Sequence, residues 1–165
     1  MRRVSVVAIS LVVAATVLAA AAGRRYSFTG KVVSIADGET LSARDTAQAE
    51  HKIHLQGIDS PEKGQAFATE AKDALSSKIL GQMVRVDVVE LDRSRREVGR
   101  VYFGDRFINL EMIRDGFAWR YPPSDRHGEF TPFEGQARAL KRGLWADPHP
   151  VPPWEFRRRK RAAGQ

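Results

Sequence analysis

Cysteine is absent from the 165 residues, and its absence excludes disulfide bonds, thiolate metal sites and cysteine nucleophiles. Acidic residues are also in deficit, with 20 Asp and Glu against 27 Lys and Arg, for a formal charge of +7. A positive field concentrates polyanions near a protein surface, so this charge suggests an anionic partner. A soluble protein with a basic tail explains the same charge equally well. No internal repeat is found, which argues against a repeat architecture.

What is present is typical of a globular protein, with 42% hydrophobic and 28% charged residues. The length suits one compact domain with its own core. We assign residues 23–154 to this domain and residues 155–165 to a basic C-terminal tail that is solvated and mobile.

The first 22 residues are predicted to be a signal peptide. Arg2 and Arg3 precede an apolar run over residues 4–22, which ends in small residues suited to signal peptidase. The run is nearly long enough to span a bilayer, so an uncleaved membrane anchor is the alternative. Either form indicates a secreted, periplasmic or other cell-envelope protein. Cleavage would remove two arginines and leave a charge of +5.

Alternating apolar residues and β-branched runs predict five short strands. They cover residues 26–35, 40–44, 52–56, 84–88 and 98–103, with an Asp37-Gly38 turn in the first hairpin. Residues 65–80, 109–114 and 133–142 have helical periodicity, and Asn109 is the predicted cap of the second helix. The order predicts an α+β fold, a five-stranded Greek-key β-barrel of the OB-fold type with three helices.

Acidic residues cluster at two predicted turns of this barrel. Asp37 and Glu39 lie between the first two strands, and Asp59 and Glu62 follow the third. If the two turns meet at one rim, their oxygens suit a hard cation such as Ca²⁺. Asp-Gly and Asp-Ser-Pro are also ordinary turn sequences, so each pair has a purely structural explanation.

An arginine-rich turn, DRSRR at residues 92–96, supplies the other group that phosphodiester hydrolysis needs. A cation polarises the phosphoryl oxygen, a guanidinium binds the developing charge, and a carboxylate accepts a proton from water. Taken alone, such a turn is more simply a solvated loop.

The motifs taken together resemble those of the thermonucleases, the staphylococcal nuclease family. In order they are DGET (37–40), GIDSPE (57–62), DRSRR (92–96), GFAW (116–119) and RGLW (142–145). The resemblance covers nearly all of residues 26–154. It implies an OB-fold barrel and Ca²⁺-dependent cleavage of DNA and RNA, with single strands preferred. It implies no stable protein partner, and we expect a monomer.

The resemblance also assigns roles to individual residues. Glu39 and Asp59 would be metal carboxylates, the Ser60 carbonyl would add an oxygen ligand, and Asp37 would support the metal shell. Glu62 would be the general base or would orient the attacking water. Arg96 would bind phosphate, with His54 as a weaker partner. Further candidates for substrate contacts are Thr40, Arg95 and Tyr121.

Three departures from the family pattern put full activity in question. Glu39 replaces the usual aspartate, and its extra methylene moves the carboxylate outward. His54 replaces an arginine; histidine is shorter and only partly protonated near its usual pKa of about 6.5, so it would help mainly below neutrality. Ser94-Arg95 replaces Tyr-Gly, which leaves open whether Arg95 or Arg96 binds phosphate. The departures predict an attenuated nuclease. The alternative is a non-catalytic module that binds single-stranded nucleic acid.

Overall fold

The computed structural model describes residues 25–92 and 94–164, so the predicted signal peptide lies outside the described residues. Four helices lie within these ranges: α1 Ala68–Ile79, α2 Ile108–Arg114, α3 Thr131–Ala139 and α4 Pro153–Ala163. A 3₁₀ turn covers Gly143–Ala146. The strands are β1 Tyr26–Ile35, β2 Thr40–Asp45, β3 Glu50–Leu55, β4 Ile58–Asp59, β5 Met83–Leu91, β6 Glu97–Phe103, β7 Arg106–Phe107 and β8 Trp119–Arg120.

The five long strands form a closed barrel. β1 pairs antiparallel with β2 and β5, while β2 pairs with β3 and β5 with β6. A parallel pairing of β3 with β6 closes the circuit. Helix α1 connects β3 and β4 to β5, as an OB-type barrel requires. The predicted α+β fold with a five-stranded barrel is therefore confirmed.

The barrel interior is the main hydrophobic core. Val84, Val86 and Val88 alternate along β5 and are each at most 2% exposed, which confirms the two-residue period of that strand. Helix α1 packs Leu75 and Ile79 against the same core. The carboxyl end of β3 and the hairpin from β1 to β2 are thereby held on a rigid frame, and the acidic turns lie there.

The helices differ from the prediction mainly at the C-terminus. Three of the helices lie within three residues of the predicted bounds, whereas α4 occupies the segment expected to be a mobile tail. Pro153 at its start and Glu155 in its first turn favour helix initiation. Trp154 packs edge-on against Trp119 with ring centroids 5.8 Å apart. The basic run is therefore part of a helix that packs on the domain. Among the described residues, no helix is long and apolar enough to span a membrane.

Asn109 was predicted to cap α2, but this was wrong. It lies inside the helix with 0% exposure, and its side chain bonds the barrel instead. Its Oδ1 accepts the Val101 amide at 3.0 Å, and its Nδ2 donates to the carbonyls of Gln56 at 2.9 Å and Gly99 at 3.1 Å. The amide therefore ties α2 to β6 and to the end of β3.

A polar cluster around His51 joins four barrel strands. His51 Nδ1 lies 3.0 Å from Glu97, Nε2 lies 3.3 Å from Asp45, and the Tyr26 hydroxyl donates to Glu97. The ring of Phe28 stacks on the imidazole at 4.0 Å. Burial alone lowers the pKa of His51, but the hydrogen bonds and charges of Glu97 and Asp45 together raise it. A protonated imidazole therefore stabilises the barrel.

This cluster predicts that stability falls as the pH rises. Because the folded pKa of His51 is raised, its contribution is complete below the unfolded pKa of about 6.5 and is lost through the higher folded value. We expect His51→Gln to lose about 1 kcal/mol of unfolding free energy at pH 6 and little at pH 9. Urea unfolding at both pH values measures this, with the exposed His149→Gln as control. An equal loss at both values would contradict the assignment.

Candidate functional site

The two acidic turns lie against each other. Gly38 is buried at the tip of the first turn, and a Cβ there would come within 2.9 Å of the Ser60 Cβ in the second. The Ser60 amide donates to Glu39 Oε2 at 2.9 Å, and the Glu39 amide donates to Asp37 Oδ1 at 3.0 Å. The absence of a side chain at Gly38 therefore allows the carboxylates of both turns to share one rim of the barrel.

Strand register adds His54 to this rim. Thr40 on β2 is the direct partner of His54 on β3, and Thr40 Oγ1 lies 3.4 Å from His54 Nδ1. The other ring nitrogen is 3.9 Å from Glu39 Oε1. The histidine side chain thus faces the acids from the neighbouring strand.

Asp59 is fixed by a short sheet outside the barrel. β4 pairs with β8 so that Asp59 lies opposite Trp119. The turn into β4 depends on Gly57, whose φ of +83° is strained for other residues and whose Cβ would meet Phe130 Cε2 at 2.3 Å. In the sequence GID (57–59), a tight turn followed by a two-residue strand therefore orients the Asp59 carboxylate.

Eight of the ten predicted site residues line one cavity of about 370 Å³. They are Asp37, Glu39, Thr40, His54, Asp59, Glu62, Arg96 and Tyr121. Ser60 contributes its backbone amide to Glu39 at the edge. Arg95 is the exception, because it lines a different cavity with Tyr26 and Glu97. Residues from both halves of the chain therefore meet around one opening.

Arg96, at the end of the DRSRR turn, lines the cavity. Asp92 organises the turn: its Oδ1 accepts the amides of Ser94 and Arg96, each at 2.8 Å, and its Oδ2 accepts Arg96 Nε at 2.6 Å. The terminal Nη atoms of Arg96 form the remaining fork of the guanidinium. Arg95 takes a left-handed φ of +61° where the family pattern has glycine, and its side chain leaves the site. Arg96 and Arg95 therefore line different cavities, a difference that the sequence analysis left open.

A second guanidinium, from Arg157 on α4, was missed by the sequence analysis. Its Nη1 and Nη2 donate to Asp59 at 3.0 and 2.8 Å, and Nη1 also donates to Glu62 at 2.6 Å. These bonds raise the pKa of Arg157. Helix-start signals in PPWE could have identified α4. No local signal connects residues 98 positions apart.

The surroundings of Glu39 and Asp59 raise the pKa values of both carboxyl groups. Burial raises the pKa of Glu39 well above its usual value, and the Asp59 charge raises it further against the Ser60 amide, which lowers it. Burial also raises the pKa of Asp59, although the hydrogen bonds of Arg157 oppose this. Buried acids that repel each other favour a positive charge among them.

His54 does not act as a charged group here at neutral pH. Burial lowers its pKa, and the nearby charge of Arg96 lowers it further, with Asp37 and Asp92 opposing and Arg157 adding to the decrease. The imidazole is consequently neutral near pH 7. It cannot supply the permanent positive charge of an arginine at this position.

The donors fit a hard cation in their chemistry. Within residues 25–92 and 94–164, no three His, Asp or Glu side chains are already arranged around a metal position. Asp59 and Glu62 are held by Arg157, and Glu39 directs one oxygen to Ser60. Carboxylate oxygens are nevertheless the ligands that Ca²⁺ prefers. A cation in this cavity would also relieve the repulsion that raises the pKa of Glu39 and Asp59.

Comparison with known proteins identifies similar chains. The family model described as "Staphylococcal nuclease homologue" matches residues 52–147. The chain is 39% identical over 132 residues to an "Uncharacterized endonuclease" of Escherichia coli O157:H7, covering 79% of this chain and 86% of that protein. An "Uncharacterized endonuclease" of Haemophilus influenzae is 36% identical over 152 residues, with 92% and 84% covered.

Plant proteins are similar over a smaller part of their length. "Probable staphylococcal-like nuclease CAN2" of Oryza sativa subsp. japonica is 37% identical over 135 residues. This alignment covers 82% of the chain but only 35% of the plant protein, so the chain spans about a third of that relative.

Proposed function

The chain belongs to the staphylococcal nuclease family, and from this premise we propose that it is a metal-dependent nuclease that hydrolyses phosphodiester bonds in DNA and RNA. The observation that carries the proposal is the cavity of about 370 Å³ in which acidic and guanidinium side chains meet. This combination is what a cation and an anionic phosphodiester together require.

Two side chains would act directly on the substrate. Glu62 would accept a proton from the attacking water as the water oxygen bonds to phosphorus. The bond from phosphorus to the leaving oxygen would break, and that oxygen would take a proton from solvent. Arg96 would bind the non-bridging phosphate oxygens through its Nη fork, since Asp92 already holds its Nε. Tyr121 lines the same cavity and would contact the nucleotide.

The cation would be held by Asp59 and Glu39, with Asp37 in support and the Ser60 carbonyl as an oxygen ligand. Bound Ca²⁺ would supply Lewis-acid stabilisation of the phosphoryl charge. Our proposal includes an attenuated rate, because Glu39 replaces aspartate and His54 is neutral where the family pattern has arginine. We also propose that the protein is a monomer and that it prefers single-stranded nucleic acid.

A calcium assay tests this function. We expect purified residues 23–165 to degrade heat-denatured DNA in Ca²⁺ and to stop when EGTA is added. Titration of Ca²⁺ with Trp fluorescence gives a second readout, because Trp119 lies beside Asp59 in the paired strands. Asp59→Asn should weaken both cleavage and the fluorescence response. Activity that persists in EGTA would refute the metal dependence.

The second candidate function is a binding module without hydrolysis. It is favoured by one observation: Arg157 holds both Asp59 and Glu62, the two acids on which the chemistry depends. Salt-sensitive binding of single-stranded oligonucleotide, with no turnover in Ca²⁺ from pH 5 to 10, would support this candidate over the first.

The proposed place of action is the cell envelope or the exterior. This rests only on the signal-like residues 1–22, with a membrane anchor as the alternative if they stay attached. Fractionation of cells that express the full chain distinguishes a released protein from an anchored one.

A further inference from the structure

We propose that Arg157 is a substrate phosphate-binding residue, through which helix α4 supplies the guanidinium that is missing at position 54. This inference rests on the proposed function and goes beyond it. The family pattern places an arginine on β3, where this chain has His54. Arg157 brings the same chemical group into the same cavity from the C-terminus.

The hydrogen bonds of Arg157 leave a fork for phosphate. A guanidinium carries five N–H donors, and the bonds to Asp59 and Glu62 use three of them, all on Nη1 and Nη2. The fork formed by Nε and the outer N–H of Nη2 is not used by those three bonds. One edge of the side chain thus binds the acids, and the other edge matches the geometry of two phosphate oxygens.

The position of Arg157 is held by the packing of α4. Trp154, one turn earlier, packs on Trp119, and its ring centroid lies 6.3 Å from that of Tyr121 at the cavity. The Arg157 side chain contacts Asp59 at 2.8 Å and is still 36% exposed, so part of it faces solvent. A helix that is docked by an aromatic contact presents its arginine at less entropic cost than a mobile tail would.

Charge gives an independent reason for the role. Arg96, Arg157 and His54 line the same cavity, so both guanidiniums lie near the position where the family pattern has an arginine. Four carboxylates line this cavity, and they would repel an anionic substrate unless cationic groups offset them. Arg157 offsets two of these carboxylates and leaves a donor edge for the phosphate.

Binding without cleavage is the first test. A fluorescein-labelled single-stranded oligonucleotide is titrated in EGTA, so that hydrolysis does not enter the measurement. We expect Arg157→Ala to weaken binding about 10-fold and to reduce the salt slope by about 0.7, the value for one lost phosphate contact on a single strand. Arg157→Lys keeps the charge but lacks the fork, so its affinity for the oligonucleotide should lie between those of the wild type and of Arg157→Ala. The exposed neighbour Arg158→Ala is the matched control and should change affinity less than about 2-fold.

Rescue is the second test. In Ca²⁺, Arg157→Ala should lower kcat/KM about 100-fold, a typical loss when one hydrogen-bond donor to the transition-state charge is removed. Adding His54→Arg to that variant should restore at least about 10-fold, because an arginine then returns on β3. Trp fluorescence and thermal melts show whether Arg157→Ala undocks α4. If it does, the affinity and kcat/KM of Arg157→Lys decide whether Arg157 binds phosphate.

Two outcomes would overturn the proposal. If Arg157→Ala raises both the cleavage rate and the Ca²⁺ affinity, the arginine blocks the acids and does not bind phosphate. If it behaves like Arg158→Ala in both assays, the ion pair is only structural. A wild-type protein that never cleaves would refute the proposed nuclease, while the EGTA titration would still decide the role of Arg157.

Discussion

Replacing Glu62 by glutamine is expected to lower the turnover number about 10²- to 10⁴-fold, the usual contribution of a general base. Glutamine keeps the size of the side chain and an oxygen that can accept the bond from Arg157 Nη1. It cannot accept a proton from water at neutral pH. We therefore expect KM and the melting temperature to change little while kcat falls.

The measurement is initial-rate cleavage of denatured DNA in saturating Ca²⁺. Glu70→Gln is the matched control, because Glu70 is exposed on α1 and away from the cavity lining. A Glu62→Gln protein that retains more than about a tenth of the wild-type kcat would remove Glu62 from proton transfer. Equal residual rates in several inactive variants would indicate a contaminating nuclease.

Replacing Asn109 by alanine is expected to cost about 3 kcal/mol of unfolding free energy. The buried amide serves three backbone groups, and its loss leaves the Val101 N–H without its acceptor and removes a donor from the Gln56 carbonyl. The Gly99 carbonyl still accepts the Gln56 amide at 2.8 Å. Each buried polar group left unsatisfied costs about 1–3 kcal/mol. For a domain of this size the melting temperature should fall roughly 10 °C.

Thermal and urea unfolding measure this loss. Ser77→Ala is the control, because its hydroxyl makes a single exposed bond to the Ala74 carbonyl, and we expect less than about 0.5 kcal/mol. A loss below about 1 kcal/mol for Asn109→Ala would mean that water or backbone rearrangement satisfies the Val101 amide and the Gln56 carbonyl.

Most of the barrel was predictable because its signals are local. Val84, Val86 and Val88 alternate in sequence and are buried in the structure, so the period of the side chains indicated the strand and its inner face. Asn109 shows the limit of such signals. Asparagine favours helix caps in general, but here the barrel carbonyls lie within reach of its amide, and tertiary hydrogen bonds outweigh the local preference.

The residues of the candidate site were largely predictable, whereas parts of their arrangement were not. The acids of DGET and GIDSPE were readable as two turns, and the structure brings their side chains to one cavity. The choice between Arg95 and Arg96 depended on the backbone of one turn, in which Arg95 takes a left-handed φ. The charge state of His54 depended on burial and on two guanidiniums distant in the chain.

Local sequence was enough to predict the five barrel strands, the acidic turns and the arginine-rich turn, because each follows from neighbours along the chain. The two-residue strands β4, β7 and β8 were not predicted. The contact of Arg157 with Asp59 and Glu62 depends on the folded chain, since 98 and 95 residues separate these partners. The docking of α4 on Trp119 positions this contact, because the partly buried Trp154 ring packs edge-on against the Trp119 ring. Periodicity indicates which face of an element is apolar, but it does not indicate which distant surface that face will meet.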